Sequence, residues 1–522
     1  MSHRDARTDA VGATLSAPIC IIGAGLAGIT LARELSSRFD DVLLIESGGL
    51  DYSDEAMDLY AAENRGLPYY DLTACRLRYF GGTGNHWAGY SRSNDPINYE
   101  ARPDLGIPAW PVTFEELQPY VARAARLLGI SDAFFDPAML LAPQNWGDAV
   151  EKTRDAEDFF LAVNQIADVE RIRFADRFGP EIIASDRIHL VTDLSAVELV
   201  ATEDGARIAA MNCRTLTGKQ VRVTADSFVL ACHTIENARL MLASNRQEAA
   251  GIGNGAGLVG RHFMEHPYIN TSILAVPDSF PPALVRHIAN AENRFVGLSL
   301  KPEIMRQEGT LAYNCYFSTR TGDTGIGRAI DRLRDGWNGA GQTLSDARTV
   351  MSDPGFLMGT AKDKLGWGDG MSFLVLEQMI EQSPNPESRV VLSATERDAT
   401  GQPRANLDWR LNDLDLHTFR TGQDHVIREL GALGLGRVRV EEITHELLAE
   451  RVIGHFHHYG TTRMGATPAA GVVDRDLRVF GKRNLSIIGG SVFPGSGSHG
   501  PTLHILAMTY RLADRLRDEY HG

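Results

Sequence analysis

Cysteine is scarce in this chain of 522 residues: there are five, Cys20, Cys75, Cys213, Cys232 and Cys315, with no CxxC pair and no regular spacing. A sparse, odd set argues against a disulfide framework and for a reducing compartment, with Cys20 and Cys232 read as strand-core residues. Basic excess is missing as well. Lys and Arg number 52 against 67 Asp and Glu, a formal net charge of -15 at pH 7. That balance speaks against nucleic acid or an anionic membrane as the main partner, since either favours a basic face. No apolar run is long enough to span a bilayer. Residues 1–18, MSHRDARTDAVGATLSAP, lack the apolar core of a signal peptide. A cytoplasmic protein without a membrane span is expected, and an oligomer is compatible with all of this.

What is present is an ordinary globular composition, 43% hydrophobic and 23% charged, in a chain long enough for two intimately joined domains. Ile19–Ile22 is a short apolar run, followed by Gly-rich sequence, a helical pattern through Leu35 and a second apolar run at Val42–Ile45 that ends on Glu46. Strand, tight turn, helix, strand is the opening of a doubly wound nucleotide-binding fold. Residues 71–90 read as largely irregular and Phe114–Leu128 as helix. Strand patterns recur between Ile188 and Cys232, at Met371–Leu376 and at Arg389–Leu392. A helix closes the chain from Thr502 to Glu519. The Gly-, Asp- and Arg-rich stretch 322–370 reads as helix fragments and loops, a lid or an interface element.

Gly23-Ala24-Gly25-Leu26-Ala27-Gly28 fits GxGxxG between the first strand and the helix. Gly23 permits the tight turn, Gly25 lets backbone approach a pyrophosphate, and Gly28 lets helix pack close to strand. Phosphates then sit at a helix N-terminus, where free N–H groups and the helix dipole favour anions. Glu46 is placed to accept hydrogen bonds from a ribose. The motif alone does not choose between NAD and FAD.

The far end of the chain does. His457-His458-Tyr459-Gly460-Thr461-Thr462-Arg463-Met464-Gly465, then Gly471-Val472-Val473-Asp474, resembles the C-terminal signature of the glucose–methanol–choline (GMC) oxidoreductases. So does Asn484-Leu485-Ser486-Ile487-Ile488-Gly489-Gly490-Ser491-Val492-Phe493-Pro494, followed by Pro501-Thr502-Leu503. Gly81-Gly82-Thr83-Gly84-Asn85-His86-Trp87, Val229-Leu230-Ala231 and Val259-Gly260-Arg261 match in order, so the resemblance spans nearly the whole chain. Glu381-Gln382-Ser383-Pro384-Asn385-Pro386 before Arg389-Val390-Val391-Leu392 is similar to the bacterial pyranose- and glycoside-oxidising branch, beside the sugar and polyol dehydrogenases.

The resemblance implies an α/β, Rossmann-like, doubly wound FAD-binding domain (1–90, 186–270 and 455–522). Interleaved with it is an α+β substrate domain built on an antiparallel sheet (91–185 and 271–454). It implies FAD contacts at Gly23, Gly25, Gly28, Glu46, Gly82, Asn85, His86, Trp87, Val197, Gly490, Pro501 and Thr502. His86 matches the histidine that pyranose oxidases bond covalently to the flavin; elsewhere in the family the flavin is not covalently held, and both forms stay open. His457 opens the HxxGT block and is the expected base, since a neutral imidazole suits a hydroxyl proton near neutral pH. A metal held by His455, His457 and His458 is not expected, because no acidic ligands accompany them; His455 and His458 are read as supporting residues.

Two departures stand out. The family places a second His or Asn immediately before Pro-Thr, and here that position is Gly500, which has no side chain to donate or accept. His499 is the first candidate for the missing role and His504 the second, with no second residue at all as the alternative. His233 stands where the family has a glycine beside the cofactor. The expected reaction is FAD-dependent oxidation of a CH–OH group of a sugar, glycoside or related polyol, with oxygen or another electron acceptor. The alternatives are oxidation of a different natural product, or a flavin subunit of an electron-transfer dehydrogenase complex.

Overall fold

Residues 3–8, 12–277, 279–285, 293–318 and 371–520 are described by the computed structural model. The stretch read as a possible lid or interface element, 322–370, lies outside the described residues. In Thr14–Ile22 exposed and buried residues alternate at first and burial becomes continuous at the end, the pattern of a strand entering a core covered on both faces. It runs parallel to Val42–Ile45 and to Gln220–Leu230. Further parallel pairings add Ile188–Thr192 and His3–Asp5 on one side and Leu485–Ile487 on the other. Ile208–Arg214 and Ser195–Ala201 extend the sheet antiparallel from the first half of Gln220–Leu230.

Helix Leu26–Leu35 packs on this sheet and against the C-terminal helix Thr502–Tyr520, which in turn lies on helix Phe114–Leu128. Helix Phe114–Leu128 has a reciprocal Thr113–Glu116 capping box and ends at Gly129 with φ 71°, so its bounds follow from local chemistry.

A second sheet is antiparallel throughout, in the order Arg437–Arg439, Tyr268–Pro277, Met371–Ile380, Tyr313–Ser318, Arg294–Leu300, Phe159–Ile166, Tyr90–Ser91. Helix Asp413–Ala432 packs against it. The architecture is thus a Rossmann-like α/β layer joined to an α+β layer with an antiparallel sheet. One buried hydrophobic cluster runs through both. All five cysteines are free. Among the described residues no helix is long and apolar enough to cross a membrane, and no group of His, Cys, Asp or Glu is arranged to hold a metal.

Candidate active site

The first strand ends at Gly23, with φ 103°, where a Cβ would lie 2.5 Å from the Ala231 carbonyl oxygen. At Gly28 a Cβ would lie 1.9 Å from the Gly23 oxygen, so any side chain there pushes the helix off the turn. Gly25 differs: nothing lies within 4 Å of its Cβ position. Its open side faces a cavity of about 640 Å³. Glu46 lines the same cavity, with its carboxylate accepting from Ala24 N and Gly48 N, both at 2.9 Å. Burial raises its pKa, opposed by those N–H groups and by Arg78. Each carboxylate oxygen keeps a second acceptor site, so the ring of backbone contacts leaves Glu46 able to take a hydroxyl.

Gly82, His86, Trp87, Gly490, Pro501 and Thr502 also line the cavity, as do His457 and His499. Asn85 and Val197 do not. The Asn85 amide donates to Phe80 O at 2.9 Å and fills the space beside Gly81, so it shapes the loop from behind. Ala196 takes the wall position, and the Val197 carbonyl accepts from Gln402, itself a wall residue. His86 is exposed and shares a hydrogen bond of 3.0 Å with the Tyr79 hydroxyl.

A nest of histidines surrounds His457. His457 Nδ1 lies 2.8 Å from His266 Nδ1. Burial, then the neighbouring His266 and His455 rings, hold His457 well below the ordinary imidazole range. Its Nε2 is 3.6 Å from where a Gly500 Cβ would stand. His458 is buried, 2.6 Å from the Tyr69 hydroxyl and 3.2 Å from His233 Nε2, while His455 joins the cavity wall. Beneath them Glu265, fully buried, accepts the backbone N–H groups of His266, His455 and His457. Burial pushes its carboxyl up to about 7 against these bonds and one from Tyr69.

His499 is buried and held by Arg92, whose Nη1 is 2.6 Å from Nε2. Burial and then Arg92 hold its pKa at about 4, against the opposite pull of Asp95. A guanidinium only donates, so Nε2 accepts and the ring hydrogen of neutral His499 sits on Nδ1. That nitrogen is buried and has no hydrogen-bond partner among the described residues. His504 instead points its Nε2 at Asn94 N, 3.4 Å away, and does not line the cavity.

Sequence reasoning passed over several residues that shape the site. Glu265 and His266 lie a few residues after the Val259-Gly260-Arg261 block and carried no signal of their own. Arg76 and Arg78 line the cavity and both pair with buried Glu236 at 2.8 Å. Burial raises the Glu236 carboxyl, but the Arg239, Arg78 and Arg76 guanidiniums outweigh it and hold the group ionised. His233 has φ 78° and ψ 160°, a glycine-favoured conformation costing on the order of 1–3 kcal/mol for other residues. The glycine habit of that position therefore persists in the backbone, and the ring that replaces it packs edge-on against His458.

The open cradle at Gly25, the free wall at Gly489, the acid at the end of the second strand and the shared cavity fit FAD. The comparisons agree. Residues 384–509 match the family model for GMC oxidoreductases, so the chain carries the C-terminal domain of that family. The fructose dehydrogenase large subunit of Gluconobacter japonicus is 22% identical over 97% of this chain and 98% of its own. The 6'''-hydroxyparomomycin C oxidase of Streptomyces lividus is 24% identical over 94% and 90%. The solved structure of pyridoxine 4-oxidase from Mesorbium loti superposes with a TM-score of 0.61 over 97% of this chain and 99% of its own, at 18% identity, which establishes the fold.

Proposed function

We propose that the protein oxidises a CH–OH group of a sugar, glycoside or related polyol, with His457 as base and His499 as hydrogen-bond donor to the same oxygen. The observation that supports this reading is that His457 and His499 line the same cavity, with the Nε2 end of His457 beside Gly500. An alcohol must lose its O–H proton while its oxygen is held, and those two needs match a bare imidazole nitrogen and a bare N–H. Among the described residues His457 engages His266 through Nδ1, and His499 Nδ1 has no hydrogen-bond partner.

FAD supplies the hydride acceptor when bound, and the residues that would hold it are Gly23, Gly25, Glu46, Gly82, His86, Trp87, Gly490, Pro501 and Thr502, with Gly28 packing the helix onto the turn behind them. The chain's own part is orientation, proton management and exclusion of water. Phe295, Tyr316 and Phe456 line the cavity and offer aromatic faces to the C–H side of a sugar ring. Relatives that act on fructose and on an aminoglycoside by their names support a polyhydroxylated substrate. The segments 1–90, 186–270 and 455–522 as FAD domain, with 91–185 and 271–454 as substrate domain, belong to the same proposal.

The test is anaerobic mixing of the yellow holoprotein with sugars, glycosides, aminoglycosides and simple alcohols while the flavin absorbance is followed. Bleaching by a polyhydroxylated compound, lost in His457→Ala, is the expected result. Bleaching that survives His457→Ala removes the base assignment, and a colourless protein that cannot be loaded with FAD removes the reading altogether.

A further inference from the structure

His266 sits at the entry to strand Tyr268–Pro277, fully buried, and is not itself part of the cavity wall. Its Nε2 lies 3.0 Å from the Gly497 carbonyl oxygen and 3.3 Å from that of Ser496. Carbonyls only accept, so Nε2 carries a hydrogen. Burial holds the His266 imidazole at about 4, against the opposing pull of those two carbonyls and Glu381, so near neutral pH the ring has one hydrogen and Nδ1 is a lone pair. The partner nitrogen, His457 Nδ1, is 2.8 Å away. Two ring nitrogens at that distance share one hydrogen, and it can only belong to His457.

We propose that His266 is a positioning residue that locks His457 as the Nδ1–H tautomer, leaving its one lone pair on Nε2, the end of the ring beside Gly500. The backbone reinforces the lock. One oxygen of Glu265 accepts the N–H groups of both His266 and His457, at 2.9 and 3.0 Å, and the two rings stand at 90° with centroids 5.0 Å apart. Which nitrogen of a histidine is free is set by the bond the other one makes. Here the orienting acceptor is a neutral imidazole backed by two peptide carbonyls, where a carboxylate would add a charge. When Nε2 takes a proton from a hydroxyl, the Nδ1–H bond to His266 persists and strengthens as a charge-assisted bond. Because His266 itself is neutral, it stabilises that cation less than a carboxylate would. The groups that bear on this pair are His455, Glu265, Glu381, His499 and the Tyr459 ring.

The inference rests on His457 being the base, and its test separates the two claims. Holoprotein labelled with [15N]histidine is compared with His457→Ala to assign the His457 resonances, without substrate. The expected spectrum at neutral pH shows a protonated Nδ1 and an unprotonated Nε2. His266→Gln keeps a donor towards Ser496 and Gly497 but no acceptor towards His457, whereas His266→Asn keeps an amide oxygen where Nδ1 was. In His266→Gln the Nε2–H form of His457 gains population, and kcat for flavin reduction falls by roughly 10²-fold, the scale of losing a general base, with KM little changed. His266→Asn returns the tautomer and most of the rate. A wild-type His457 protonated on Nε2, or an unchanged tautomer in His266→Gln, overturns the proposal. Should His266→Gln fail to fold, the wild-type spectrum alone decides. The expected tautomer together with full turnover in His457→Ala leaves the lock standing and removes the base.

Discussion

Gly500 faces the His457 ring: a Cβ at position 500 would stand 3.5 Å from Cε1 and 3.6 Å from Nε2, with the Tyr90 carbonyl oxygen at 3.7 Å. These are ordinary van der Waals distances, and the backbone there lies outside the left-handed region. Gly500→Ala is therefore expected to fold normally, within about 0.5 kcal/mol of wild type. A longer side chain fills the space beside His457. Gly500→Leu should lower kcat/KM for a ring alcohol by roughly tenfold or more, and much less for a small primary alcohol, because the loss is one of room. Equal losses on both substrates would mean that the substrate does not pass residue 500.

In the proposed reading His499 serves as the donor that Gly500 cannot be, and the Arg92 contact at Nε2 leaves the ring hydrogen on Nδ1. His499→Ala should reduce kcat/KM by roughly 10²-fold, comparable with loss of one oxyanion donor. His499→Asn, which keeps an amide able to donate near Nδ1, should recover part of that. Steady-state kinetics on the substrate that bleaches the flavin fastest checks both. Unchanged kinetics in His499→Ala would assign the proton chemistry to His457 alone.

The parts of this site that were legible in the sequence are those whose geometry is local. Gly23 and Gly28 are glycines because their own neighbours leave no space for a Cβ, so the turn reads directly from the letters. Helix Phe114–Leu128 carries its own cap and stop. The order of the antiparallel sheet was not legible, because Phe159–Ile166 pairs with Arg294–Leu300 across more than a hundred residues. Glu265 and His266 were missed for the same reason: their importance arises only when residues 455–457 and 496–497 fold over them. Val197 and Asn85 lie one residue from cavity-lining positions, a displacement that side-chain direction decides and sequence spacing does not.

Glu265 offers a test of how the histidine loop is held. Its Oε2 takes three backbone N–H groups and its Oε1 takes the Tyr69 hydroxyl. Glu265→Gln keeps an oxygen for the three amides and can donate to Tyr69 with its nitrogen. A loss of about 1 kcal/mol is expected, the worth of one rearranged hydrogen bond. Glu265→Leu strands three buried N–H groups, and at about 1–3 kcal/mol each it should unfold the loop and abolish flavin reduction. Chemical denaturation of both variants checks the contrast; similar losses would mean that the carboxylate does not organise residues 455–457.

Stability should fall on mild acidification, and the sign follows from the buried imidazoles. His262, His266, His458, His499 and His504 are all buried, and burial, the leading cause in each, holds them below the ordinary value. Below the unfolded imidazole pKa of about 6.5 the unfolded chain binds protons that these rings refuse, so each removes stability as pH drops towards its folded value. Three buried carboxyls act in the opposite sense. Glu46 is raised, and Glu265 and Asp415 are pushed to about 7, all mainly by burial; folded carboxyls that hold protons more tightly gain stability as pH falls towards the unfolded value of about 4.3 for Glu or 3.9 for Asp. Five imidazoles outweigh three carboxyls, at about 1.4 kcal/mol per net proton per pH unit. The thermal midpoint of the holoprotein should therefore drop between pH 6.5 and 5, and His504→Gln, away from the cavity, should flatten that dependence. A midpoint that rises over this interval would show that the carboxyls dominate and that the imidazoles are not held neutral by burial.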